Sequence, residues 1–71
     1  MDAEDAVDRA ADFLKKKGGQ HVYRLLTVEL DSDVWKVKFD TGIVEKETAE
    51  LDIDDVTGRV IKYRKVRDSQ I

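Results

Sequence analysis

The sequence predicts an α+β domain, with an N-terminal helix packed on a three- to four-stranded antiparallel meander sheet. Three observations lead there. Residues 3–17 repeat apolar side chains at spacings of three and four, the period of one helix face. Residues 34–40 and 48–54 alternate apolar with polar or charged side chains, the period of a strand with one buried face. The segments joining the later runs are short and hold Asp, Ser, Thr and Gly, which is hairpin chemistry and leaves no room for a crossover.

The helix comes first. Ala3, Ala6, Val7, Ala10, Ala11 and Leu14 draw one apolar stripe, with Phe13 beside it. Asp2 is placed to cap the N-terminus, and the acids of the first turn favour the positive end of the helix dipole. Lys15, Lys16 and Lys17 lie in the last turn, and Gly18 fits the left-handed position that ends a helix. The small alanines allow the helix to sit close to a sheet.

Residues 21–31 read as the first strand. Val22, Leu26, Val28 and Leu30 share one parity, and Tyr23, Leu25, Thr27 and Glu29 share the other. Asp31-Ser32-Asp33 signals a turn. In the second strand, 34–40, Trp35, Val37 and Phe39 point inward, and Trp35 serves as the core anchor under the helix. Thr41-Gly42 marks a bend, and residues 43–47 either extend the second strand or open the third. The third strand, 48–54, turns Ala49, Leu51 and Ile53 inward and Glu50, Asp52 and Asp54 outward. Asp55-Val56-Thr57-Gly58 is a tight turn in which Gly58 supplies the positive φ. Residues 59–66 form the fourth strand, with Ile61 and Tyr63 inward and Lys62 and Arg64 outward. Pairing in sequence order sets Lys36 and Lys38 near Glu50 and Asp52, and those acids near Lys62 and Arg64. Cross-strand pairs of opposite charge fix register and contribute roughly 0.2–1 kcal/mol each.

Composition bounds the function. The 71 residues form a single domain, 1–71, with net charge −3 and neither Cys nor Pro. A disulfide scaffold, a Cys-based zinc site and a thiol nucleophile are excluded. Unbroken apolar runs reach only two residues, too short to span a membrane, and no charged-then-apolar leader is visible. A small soluble, cytoplasmic protein is the expectation. The acidic excess argues against nucleic acid, although Arg59, Lys62, Arg64, Lys65 and Arg67 surround Tyr63 in a stretch without acids. His21 is the single His, with no nucleophile placed beside it by any motif, and reads as a surface residue. No catalytic residue and no cofactor is expected, and the protein is not expected to be an enzyme. Asp52, Asp54 and Asp55 admit two accounts. They serve the turn backbone and the solvent face, or they hold a metal ion or small ligand as an accessory domain would.

Tyr23 and Leu25 stand out as an apolar pair opposite Val22, Leu26 and Val28. Two accounts remain open: a dimer or partner surface, or a bulge or sheet curvature that buries one of them.

The segment from Trp35 to Val66, and above all Leu51-Asp52-Ile53-Asp54-Asp55-Val56-Thr57-Gly58-Arg59-Val60, resembles the PepSY family and related small cystatin-like domains. The helix ahead of the sheet fits the same pattern. The resemblance implies a non-enzymatic interaction or inhibitory module. A weaker likeness, through the Trp-x-Val strand, the acidic strand and Tyr63-Arg64-Lys65-Val66-Arg67, is to gas-vesicle accessory proteins of the O type. The expected partner is a protein or peptide, bound at an exposed sheet edge or at Tyr23 and Leu25, with a homodimer as one form.

Overall fold

A computed structural model describes residues 1–19, 21–42 and 46–67. One helix, α1 (Ala3–Lys16), precedes four strands: β1 (Arg24–Asp31), β2 (Val34–Asp40), β3 (Glu47–Asp54) and β4 (Val60–Arg67). The strands form one antiparallel sheet in the order β1-β2-β3-β4. This is the helix-on-meander α+β arrangement, with four strands.

The helix starts where its sequence dictates. The Asp2 carboxylate accepts the Asp5 backbone N–H at 2.9 Å, satisfying a donor that the helix cannot pair internally. Ala6, Ala10 and Leu14 are fully buried and meet Val37 and Phe39 of β2 and Ala49, Leu51 and Ile53 of β3. The core therefore lies under the two central strands. Phe13 meets Tyr63 edge-on at 5.3 Å between ring centroids.

The C-terminal end departs from expectation in one residue. The left-handed conformation belongs to Gly19 (φ +64°), not Gly18. Gly18 is small for another reason. A Cβ there would lie 3.0 Å from the Leu14 carbonyl oxygen and 3.1 Å from the Tyr63 hydroxyl. The glycine lets the fourth strand's tyrosine close over the end of the helix.

The central strands keep strict alternation. Trp35 pairs with Ile53, Val37 with Leu51 and Phe39 with Ala49, all on the helix side. On the outer side Lys36 pairs with Asp52 and Lys38 with Glu50, and β4 adds Lys62 beside Asp52 and Arg64 beside Glu50. The expected order of charges is present across β2, β3 and β4. Within it Arg64 and Glu50 form an ion pair at 2.6 Å.

The edge strands do not keep alternation. In β1 the register shifts between Leu25 and Thr27, leaving Leu26 in a bulge, so Leu25 pairs with Phe39 while Val28 pairs with Val37 and Leu30 with Trp35. This corrects the parity reading. Leu25 lies on the same face as Val28 and Leu30, and Tyr23 packs against the core with its ring 5.2 Å from Phe39. An extra residue in one strand inverts the facing of everything beyond it. In β4 a second bulge falls between the partners of Asp52 and Ile53: Val60, not Ile61, pairs with Ile53, and Tyr63 pairs with Leu51. Ile61 is exposed and Tyr63 is packed on the core. The first strand also starts at Arg24, so His21 precedes it, exposed on the surface. The third begins at Glu47. Residues 43–45 of the ambiguous 43–47 stretch fall outside the described residues.

The β1–β2 hairpin holds both turn residues, Ser32 (φ 51°) and Asp33 (φ 63°), in the left-handed region. Such two-residue turns favour Asn followed by Gly, because a Cβ is disfavoured there. Replacing Ser32→Asn and Asp33→Gly together is expected to stabilise the fold by about 1 kcal/mol. A thermal melt showing no gain would place the turn's register elsewhere.

Candidate functional site

The sheet leaves three surfaces for function: its outer face, its acidic β3–β4 turn and its edges. On the outer face a shallow groove runs over Lys36, Lys38, Glu50, Asp52, Lys62 and Arg64. Cations and anions alternate there, so the groove presents no field of one sign to an anion or to nucleic acid. Arg64 donates to Glu50 and holds its carboxyl below the usual value, opposed by desolvation and helped by Lys38 and Lys62.

The acids of the turn are engaged separately. Asp54 accepts the Val56 N–H at 3.2 Å and the Thr57 hydroxyl at 2.9 Å. The Thr57 bond, with the Val56 bond second, lowers its pKa. Gly58 closes the turn at φ +73°, as the sequence requires, and its carbonyl accepts Arg9 Nη1 from the helix. Asp55 accepts the Trp35 indole N–H at 2.7 Å. Trp35 is only partly buried, packed against the core with its polar edge turned to this turn. Asp52 lies between Lys36 and Lys62. Among the described residues no group of three or more His, Asp or Glu side chains is placed to hold a metal ion.

Sequence reasoning passed over Glu47. It lies on the helix side of β3, in line with Ala49 and Leu51, opposite Arg67. Its carboxylate accepts the hydroxyl of buried Thr41 at 3.0 Å and pairs with Lys65 at 3.4 Å and Arg67 at 3.2 Å. The Thr41 N–H donates to the Glu47 carbonyl at 2.9 Å. This cluster clasps the ends of the 41–47 connection. The Thr41 bond lowers the Glu47 pKa most; desolvation opposes it, and the Arg67 and Lys65 contacts lower it further. The only local signal was an acid at an inward-facing position.

Glu47, Glu50 and Asp54 thus all have lowered pKa values. A carboxylate more acidic folded than unfolded stabilises the fold above its unfolded pKa, and that contribution disappears as pH falls through the folded value. The melting temperature is expected to hold from neutral pH down to the ordinary glutamate value of 4.5 and to fall below it. Glu50→Gln is expected to lose roughly 0.2–1 kcal/mol at neutral pH, the range of exposed pairs, and to show a shallower acid decline. An unchanged acid slope would mean that Glu50 is paired equally in the unfolded chain.

The edges differ in their cations. β4 carries Lys62, Arg64, Lys65 and Arg67. β1 carries Arg24 alone among cations and no Pro. Three of its apolar side chains are open to solvent, Leu25 at 43%, Leu26 at 46% and Leu30 at 50%, while β4 exposes Ile61 at 58% and Val66 at 39%. Val22, just before the strand, is also exposed. Of the two residues singled out from sequence, Leu25 belongs to this strip. Tyr23 adjoins it with its ring packed on Phe39 and the Lys15 ammonium 5.9 Å above the ring centre. They are neighbours, though not on a face opposite the core.

In comparisons with known proteins the chain matches no family model, no curated protein and no solved structure. The fold and surface together describe a two-layer α+β domain with a cation-rich edge at β4 and exposed leucines along the edge at β1. No helix among the described residues is long and apolar enough to cross a membrane.

Proposed function

We propose that this chain is a small, non-enzymatic, cytoplasmic interaction domain of PepSY-like or cystatin-like character, which binds a protein or peptide partner along β1. One observation carries the reading: the open outer edge of β1, where Leu25, Leu26 and Leu30 are exposed and Arg24 is the single cation. Natural sheets blunt such edges with lysine, proline or an inward-facing charge, because an open strand templates pairing with another chain. The β4 edge carries four cations, against the single Arg24 of β1. Partner binding by strand addition uses the backbone groups of the edge for affinity and the flanking side chains for specificity. The resemblance carried by Leu51–Val60 and by the preceding helix supports the same class of function, as does a chain with one His and no Cys.

The test is capture with the tagged chain from lysate of the source cells, followed by mass spectrometry, beside the same capture with Leu26→Lys. Leu26 lies in the bulge, exposed and outside the core cluster, so this change places a charge on the edge without emptying the core. A partner kept by the parent chain and lost by the variant is the expected result. Equal retention by both would remove β1 from the interaction.

A further inference from the structure

Resting on that reading, we infer that the occupant of the β1 edge is a second copy of this chain. The two β1 strands pair antiparallel about a two-fold axis at Val28, giving one continuous eight-stranded sheet.

The strand's own pattern is self-complementary in this arrangement. In an antiparallel pair, directly opposed residues share a face. Centring on Val28 sets Val28 against its symmetry mate and Thr27 against Glu29. The bulged pair Leu25 and Leu26 then meets Leu30, since a bulge opposes two residues to one. Beyond it Arg24 meets Asp31, so the strand pairs over its whole length, Arg24–Asp31. Faces agree throughout. Leu25, Val28 and Leu30 lie on the helix side, while Arg24 and Asp31 lie on the outer side, by their pairing with Phe39, Val37, Trp35, Asp40 and Val34. Centring on Glu29 would set two glutamates face to face, which is unfavourable. Centring on Leu30 would set Glu29 against Asp31.

The arrangement also accounts for the exposure. Leu25 and Leu30 each leave nearly half their surface open in one chain. In the pair, the Leu25 of one copy lies beside the Leu30 of the other at both ends of the joint, flanking the two Val28 side chains. Both helices then lie on the same side of the sheet. The joint is isologous and closes at two, whereas β1 meeting β4 of another copy is head-to-tail and gives a ring or an open filament. The cations of β4 oppose a β4–β4 joint.

Sedimentation equilibrium of the full chain over a wide concentration range tests this. The expected mass rises from the 8.1 kDa of one chain to twice that and stops. Leu26→Glu and Leu30→Lys are each expected to weaken the dimer by about tenfold or more, equivalent to ~1.4 kcal/mol, because each sets a charge against a leucine at both ends. Both residues are exposed and lie outside the core cluster. Far-ultraviolet circular dichroism of each variant at low concentration checks that the monomer is still folded.

Mixing the two variants is expected to restore association, since one end then joins the introduced glutamate to the introduced lysine and the other joins leucine to leucine. A mixture no tighter than either variant alone overturns the register. A mass fixed at one chain, or growing past two, overturns the second-copy inference. If the mass stays at one chain while a different protein is captured through β1, only this inference fails. If capture is also indifferent to Leu26→Lys, the interaction reading fails with it.

Discussion

Phe39→Ala is expected to leave the chain unfolded at room temperature. Phe39 is the largest fully buried side chain, and it joins both halves of the structure. It pairs with Leu25 of β1 and Ala49 of β3 and holds the Tyr23 ring edge-on. Truncating a buried phenylalanine costs about 3–5 kcal/mol, from lost transfer free energy and from the cavity left behind. A single core in a chain of this length supplies about 3–5 kcal/mol in all, so the change removes most or all of the folding free energy. Circular dichroism at low concentration, where association contributes least, reads the outcome. A variant that melts cooperatively within a few degrees of the parent would show that the core is organised around another residue.

Ala10→Leu is expected to destabilise by about 1–3 kcal/mol although it adds apolar surface. Ala10 is fully enclosed with Ala6 and Leu14 between the helix and the central strands. The larger side chain has no space there unless the helix lifts from the sheet. Lifting it would open Leu14, Leu51 and Ile53 together. Ala3→Leu on the exposed first turn is the matching control and is expected to leave stability nearly unchanged. Urea unfolding of the pair separates the effects. Equal midpoints would mean that the helix rides higher on the sheet than the buried alanines indicate.

Both effects follow from residues that the sequence already marked. The stripe Ala6-Ala10-Leu14 and the alternations Val37-Phe39 and Ala49-Leu51-Ile53 name the core without any tertiary information. The capping of α1 by Asp2 and the positive φ of Gly58 were equally legible, because each depends on chemistry within a few residues. The candidate site was less legible. Tyr23 and Leu25 were conspicuous as apolar residues out of phase, but the spacing alone did not separate a second apolar face from a bulge. The structure places a bulge at Leu26. The apolar strip that results is Leu25, Leu26 and Leu30 at an open edge. That strip is visible only once the bulge at Leu26 is known.

The sequence by itself determined the order of elements, the turns, the inward residues of the two central strands and the charge ladder across them. Those follow from periods of 3.6 and 2 and from turn chemistry, which are local. The tertiary structure decided where the edge strands slip, and that Glu47 clasps Thr41, Lys65 and Arg67. The physical reason is range. A bulge is defined only against the strand it pairs with, and a single-residue slip inverts every side chain beyond it. The cations that hold Glu47 come from a strand whose Arg67 lies 20 residues further along the chain, a distance over which no local pattern carries information.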